Sequence, residues 1–324
     1  MTTLLRFALV LLCFSAPYAY AQEGINRAQL HFSMEEGNNE NTYHFQWIDN
    51  TFEPKKVSFK LDAGLVRDSI DEFKPIDDND IQSFTFGAAK AFVALRQKQG
   101  VPIKIHMKQN GYTLESRGLS KAQINQELAK IDDLIKKAQY AYVENRLYEY
   151  VESEESYFPA YTKIADDYRD KLEPLSDALI GKTIGMEFRE RVNLVLSFFQ
   201  SIPYDTLQNR KNSNGSGFAT PIELLHQNRG DCDTKSTAFA SIMRTMYYRI
   251  PMIMVFIPGH AFVGLETPAQ PGDETLDYKG RTYILSEPVG PSIRPFGSIG
   301  PDSAAKLREH DYRVVSFEHW SLDK

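Results

Sequence analysis

Residues 250–257 (IPMIMVFI) constrain this chain more than any other stretch, because almost nothing in them can face water. A strand of such near-continuous apolar character belongs in a buried position. Its neighbours in sequence supply candidates to cover it. A helical pattern runs from just after Asp231 to about Tyr248, carrying Ala238, Phe239, Ile242 and Met246. Pro258-Gly259 turns the chain, and residues 260–265 return as the next strand. After a polar excursion, residues 281–287 read as a third strand and residues 313–317 as a fourth. Upstream, residues 188–201 read as a helix with Val192, Val195, Leu196 and Phe199 inward, ended by Ile202-Pro203-Tyr204. Residues 208–217 (QNRKNSNGSG) read as a flexible polar loop.

The N-terminal part has a different rhythm. Tyr43, Phe45 and Trp47 alternate with polar residues, as do Val57, Phe59 and Leu61, which is the period of half-buried strands. Gly37-Asn38-Asn39 supplies a turn within this β-rich stretch, residues 28–62. Residues 81–99 read as a helix, with Phe84, Ala88, Ala91, Phe92 and Leu95 near one face and Gly100 as the stop. Asn110-Gly111 between the alternating runs 103–107 and 112–114 is a strong hairpin signal. Ser120 with Gln123 forms a capping box for a helix over 121–150, whose spacing carries Ile124, Leu128, Ile131, Ile135, Ala138 and Tyr142. Tyr142, Tyr148, Tyr150, Tyr157, Tyr161 and Tyr168 are interleaved with acids, and packing under a helical connector accounts for them better than a binding strip. Pro159 and Pro174 break this region. The expected organisation is α+β: a smaller β/α N-terminal domain (22–119), a helical connector (120–180) and a C-terminal domain (181–324), with a domain boundary near 175–182.

The first 21 residues read as an export signal: Arg6, an apolar stretch at 7–14, and Ala19-Tyr20-Ala21 before Gln22. An uncleaved N-terminal anchor is the alternative. Cys13 follows Leu12 rather than Gly or Ala, which argues against a lipoprotein signal. No later window holds about 18 consecutive apolar residues, so no integral membrane segment is expected after cleavage. The expected location is outside the cytoplasm, periplasmic or secreted. Removal of residues 1–21 takes away Arg6 and no acid, moving the formal charge from −6 to −7. That mildly acidic balance argues against nucleic acid or an anionic membrane as partner.

Of the two cysteines, only Cys232 outlasts cleavage, so no disulfide framework can form within the chain. A single leftover thiol in an exported protein points to intermolecular pairing or to a reactive role. Gly230-Asp231-Cys232-Asp233-Thr234-Lys235-Ser236 puts that thiol at the start of a helix, where free amide N–H groups and the helix dipole favour the thiolate. Gly230 is expected to allow a tight turn and Asp231 to serve as N-cap. A small buried residue at a helix start is the competing reading. His260, at the start of a strand after one helix and one strand, can return beside that helix N-terminus and exchange a proton with the thiol. Alone, it would more often be a satisfied strand-edge residue. Glu287 ends the strand Tyr283-Ile284-Leu285-Ser286 and would lie at the same sheet end, able to orient the imidazole; a solvated strand terminus is the alternative, and Asp277 is a competing acid.

Three segments, Gly230-Asp231-Cys232, Gly259-His260-Ala261-Phe262-Val263 and Tyr283-Ile284-Leu285-Ser286-Glu287-Pro288, together resemble the motifs of the bacterial transglutaminase-like superfamily. Residues 198–204 and 220–225 resemble the segments that precede those motifs, so the likeness covers roughly residues 182–300. The resemblance implies a papain-like fold, with a cysteine at a helix N-terminus packed on an antiparallel sheet. It implies Cys232 as nucleophile, His260 as general base and acid, and Glu287 as imidazole partner. The family usually carries Asp at the third place, so Glu287 is a departure. Oxyanion donors are sought in the backbone N–H of Cys232 and in the side chains of Gln200 or Tyr204, either of which is equally explained as a helix-end polar group or a packed tyrosine.

Other chemistries lack their signatures: there is no HExxH, paired-cysteine ligand set, P-loop, Rossmann fingerprint or GxSxG elbow. His31, His44, His106, His226, His260, His310 and His319 are scattered without metal-ligand spacing, so neither a metal nor a cofactor is expected. The leading expectation is a cysteine enzyme acting on an amide through an acyl-enzyme, as peptidase, amidase or acyltransferase, with a protein or cell-wall peptide as substrate. The second is a catalytically silent protein of the same fold that binds a partner through its N-terminal part.

Overall fold

A computed structural model describes residues 28–108, 111–209, 213 and 215–317. The expected export signal lies outside the described residues, as do Gln109-Asn110 of the expected hairpin turn and residues 210–212 and 214 of the polar loop. The described chain divides into two compact units, one continuous over 75–160 and one joining 28–74 to 161–317.

The N-terminal β-rich segment belongs to the larger unit. β1 (Gln29–Glu35), β2 (Glu40–Ile48) and β3 (Pro54–Asp62) form an antiparallel sheet in the order β1-β2-β3. Alternation places Tyr43, Phe45 and Trp47 with Val57, Phe59 and Leu61 on one buried face. Asp62 then caps α1 (Ala63–Glu72), its carboxylate accepting the Leu65 N–H at 2.8 Å.

The continuous unit contains α2 (Asp78–Lys98), the hairpin β4 (Ile103–Lys108) and β5 (Gly111–Ser116), α3 (Lys121–Glu144), and a second hairpin of β6 (Tyr148–Val151) and β7 (Ser156–Pro159). Its core gathers Ala89, Val93, Ile103, Ile131 and Ile135. The Ser120–Gln123 capping box is present. The helix expected to reach residue 150 stops at Glu144, because Leu147 adopts a left-handed conformation (φ 62°) and the chain turns into β6. Tyr150 and Tyr157 therefore face each other across a hairpin, with ring centroids 5.1 Å apart, rather than beneath a helix.

The larger unit continues with α4 (Tyr161–Asp167), α5 (Glu173–Ile180), α6 (Phe188–Ser201), α7 (Pro221–Gln227) and α8 (Cys232–Met246). Then come β8 (Met252–Ile257), β9 (His260–Leu265), β10 (Thr275–Tyr278), β11 (Arg281–Ser286), α9 (Pro301–Arg308) and β12 (Arg313–Phe317). Pro174 does not break structure; it sits in the first turn of α5, where its missing N–H leaves no helical bond unmade. The strands form one antiparallel sheet in the order β10-β11-β9-β8-β12, so the apolar β8 is interior, as its composition demands. The polar excursion contributes the edge strand β10. α8 is buried along nearly its whole length and packs against β9. The architecture is thus α+β, with a cysteine at the head of a buried helix and smaller β/α elements before it.

This division differs from one drawn at residues 119 and 180, and the reason is physical. The apolar face of β2 needs cover, and α6 supplies it. Trp47 Nε1 donates to Ser197 Oγ at 3.0 Å, and the rings of Phe45 and Trp47 meet Phe198 edge-on at 5.1 and 5.3 Å.

Candidate active site

Cys232 is the first residue of α8, and Asp231 is its N-cap, accepting the Thr234 N–H at 3.1 Å. Gly230 is required for a reason other than a left-handed turn. A Cβ there would lie 2.4 Å from Leu224 Cδ1 and 3.0 Å from Thr234 Cγ2, so a side chain would have to push these groups of α7 and α8 aside. The same glycine bridges the segment after α6: its N–H donates to the Pro203 carbonyl and its carbonyl accepts from Asp205, each at 3.2 Å. Tyr204 is thereby held beside the cysteine loop.

The second partner arrives by strand geometry. Gly259 (φ 75°) reverses the chain before His260 opens β9. Ser236 Oγ donates to the Ala261 carbonyl at 3.3 Å, and the Ala261 N–H hydrogen-bonds the Cys232 sulfur, so the first residues of β9 lie against the first turn of α8. β11 runs antiparallel to β9 with Ser286 opposite Val263, which returns Glu287 to the end of the sheet where β9 begins. His260 Nε2 lies 3.4 Å from Glu287 Oε1. Asp277 lies elsewhere: on β10, exposed, it accepts the Thr282 hydroxyl at 2.6 Å.

Glu287 is only 6 % exposed and is held by groups that sequence reasoning did not find. Ser303 on α9 donates to Oε1 at 2.5 Å, the Gly300 N–H bonds the carboxylate, and Arg294 Nε stands 3.6 Å from Oε2. Burial pushes this carboxyl up, but the bond and charge of His260, with Ser303 and Gly300, hold it below its ordinary value.

The two oxyanion candidates separate. Gln200 is fully buried and serves as a clamp: its amide N–H groups donate to the Glu287 carbonyl at 2.8 Å and the Arg294 carbonyl at 3.0 Å, and its oxygen accepts the Arg294 N–H at 3.3 Å. These bonds fix the backbone that carries Glu287 and engage the amide there. Tyr204, by contrast, lines a pocket of about 290 Å³ together with Gln208, Asp231, Cys232, Phe256 and His260. Burial, then the charges of Cys232 and Asp231, push its phenol upward, so it stays protonated and able to donate.

The thiol departs from expectation. Burial pushes Cys232 well above the ordinary thiol range, and the flanking carboxylates of Asp233 and Asp231 push it further; the N–H groups of Ala261 and Asp233 offset only part of this. The helix N-terminus therefore does not by itself yield a resting thiolate here, because the sulfur is buried and acids sit on both sides of it. Asp231 is itself raised by burial and by a hydrogen bond with Asp233, whose Oδ2 also accepts the Tyr161 hydroxyl at 2.8 Å. One turn into α8, Lys235 is wholly buried and donates to the Ile202 carbonyl; burial lowers its ammonium to about 7 against the pull of Asp231 and Cys232.

Among the described residues no group of three or more His, Cys, Asp or Glu side chains could hold a metal ion, and no helix is long and apolar enough to cross a membrane. No family model matches the chain, and neither the curated proteins nor the solved structures contain a significant match.

Proposed function

We propose that the protein is an exported, transglutaminase-like cysteine enzyme that opens an amide or peptide bond through an acyl-enzyme. The observation that carries this reading is the 3.4 Å pairing of His260 Nε2 with the buried Glu287, on a pocket that His260 lines together with the thiol of Cys232. With Nε2 engaged by the carboxylate, Nδ1 is the nitrogen left to take the thiol proton. Because the resting thiol is held protonated, the S–H bond breaks as sulfur attacks the carbonyl carbon, and His260 receives the proton in that step. The N–H of Cys232 and the Tyr204 hydroxyl are the candidate donors to the oxyanion. Collapse of the tetrahedral intermediate returns the proton from His260 to the departing amine and leaves a thioester on Cys232. Water then gives hydrolysis, or an amine gives transfer. A protein or cell-wall peptide is the proposed substrate.

The test is a screen of peptidoglycan fragments and exported proteins for amine release, with the thioester trapped by acid quench and located by peptide mass. The reading predicts a Cys232-linked acyl group that Cys232→Ala abolishes. Turnover that survives Cys232→Ala refutes it.

A second reading, a binding module without turnover, draws on the raised thiol: a sulfur between two carboxylates is poorly prepared for attack. Full complementation of a deletion phenotype by Cys232→Ala would favour that reading.

A further inference from the structure

Lys235 is a buried ionisable group that the catalytic steps leave unused. It lies one turn beyond Cys232 on the buried face of α8, and its side chain has no exposure. Its ammonium carries three N–H donors, yet among the described residues its hydrogen-bond acceptor is the single carbonyl of Ile202. That carbonyl terminates α6 as its C-cap, where a cation meets the negative end of the helix dipole. Two residues on, Tyr204 forms a wall of the pocket. The lysine therefore ties the end of α6 to the head of α8, on either side of the sulfur's surroundings.

Its electrostatic setting is as specific as its contact. The charged groups that act on it are Asp231 and Cys232 at the head of its own helix. Among the charged groups of the other elements packed around α8 are Glu223 and His226 of α7, His260 of β9, Arg189 and Arg191 at the far end of α6, and Asp166 of α4, the last paired with Arg244 at 2.6 Å. Glu173 and Asp177 of α5 are exposed. A thiolate forming between Asp231 and Asp233 thus needs a nearby positive charge.

We infer that Lys235 is a positioning residue of the site: it fixes the α6–α8 junction and supplies the buried positive charge that stabilises the Cys232 thiolate between its two flanking carboxylates. This rests on the reading of Cys232 as nucleophile. A buried ammonium with one acceptor is costly for the fold, and such a cost at a reactive centre is the pattern of a functional group rather than of a structural tie.

The experiment is alkylation of Cys232 by iodoacetamide, followed by peptide mass mapping on the full chain from pH 5.5 to 9. The proteins compared are the wild type, Lys235→Met and Lys235→Gln. Gln keeps a donor for the Ile202 carbonyl and removes the charge, so it separates the tie from the field. The inference expects at least a tenfold fall in rate at pH 6.5 in both variants, including the one that retains the donor. In the wild type, the log rate bends toward a smaller slope near pH 7, where Lys235 discharges. Equal rates in wild type and folded variants overturn it, as does a wild-type log rate that climbs linearly through pH 7; the latter needs no variant to fold. Fast wild-type labelling that both variants share sinks the role of Lys235 alone. Labelling of the wild type as slow as a free thiol at every pH, unchanged in the variants, sinks the nucleophile reading along with it.

Discussion

Replacing Lys235 with Met should stabilise the protein at acidic pH and have little effect at alkaline pH. The ammonium is displaced from its ordinary 10.5 to about 7. At about 1.4 kcal/mol per tenfold change in proton affinity, that displacement is worth about 5 kcal/mol against the charged, folded state. The penalty is fully present below pH 7. Between pH 7 and 10.5 the unfolded chain binds a proton that the folded chain does not, so wild-type stability recovers with rising pH by about 1.4 kcal/mol per pH unit from this group. Met fills the space without the charge but gives up the ammonium's hydrogen bond to the Ile202 carbonyl, which costs about 1–3 kcal/mol. The net expectation is a gain of about 2–4 kcal/mol for Lys235→Met at pH 6, falling to about zero by pH 9. Urea denaturation of both proteins at pH 6, 7.5 and 9 reads it directly, since the difference between the two chains cancels groups they share. A variant less stable than wild type at pH 6, or a difference that does not change with pH, refutes the reasoning.

Other outcomes follow from the same geometry. Glu287→Gln should lower the acylation rate by roughly 10²-fold, because the imidazole loses its anionic partner. The same change should flatten the acid limb of the stability curve, since a carboxyl held below its ordinary value contributes stability that is lost as pH falls below the unfolded value of 4.5. Among the described residues no hydrogen bond reaches Glu223 Oε2, and burial raises this carboxyl from 4.5 to about 7, so Glu223→Gln should add up to about 3 kcal/mol at pH 8 and nothing at pH 4, measured by denaturant titration. Gly230→Ala should destabilise by about 1–3 kcal/mol through its approach to Leu224 and Thr234. Gly259→Ala meets no neighbour within 4 Å and should be penalised only for its left-handed backbone, by about 1 kcal/mol in the same assay.

Much of the scaffold was legible because hydrophobic period is a local property. α6 begins and ends where Phe188 and Ser201 suggest, and the strands carrying Tyr43–Trp47 and Val57–Leu61 bury the faces that alternation predicts. The short elements escaped. β10 is four residues with one buried side chain, and α7 and α9 are too short for a period to emerge. Their cap signals were there to read: Thr220-Pro221 and Gly300-Pro301 place Pro at the first helical position. At the site, Cys232, His260 and Glu287 were reachable through order and strand geometry. The surroundings of Glu287 were not, since Ser303, Gly300 and Arg294 meet it only after α9 and the 288–300 loop fold back. The direction of the thiol shift does not follow from the helix dipole alone, because burial, which shows only in the fold, and the adjacent acids Asp231 and Asp233 oppose it. Lys235 carried a signal too: it shares the helical stripe of Ala238, Phe239 and Ile242, and a charge on an apolar stripe is a buried charge.

The most direct test of the central claim is the rate at which Cys232 reacts with a thiol-directed electrophile at pH 7, in the wild type and in His260→Ala, with the adduct located by peptide mass. The account predicts wild-type labelling that depends on His260 as proton acceptor, with a loss of at least tenfold in His260→Ala. Labelling of the wild type no faster than a free thiol, and unchanged by His260→Ala, would contradict it.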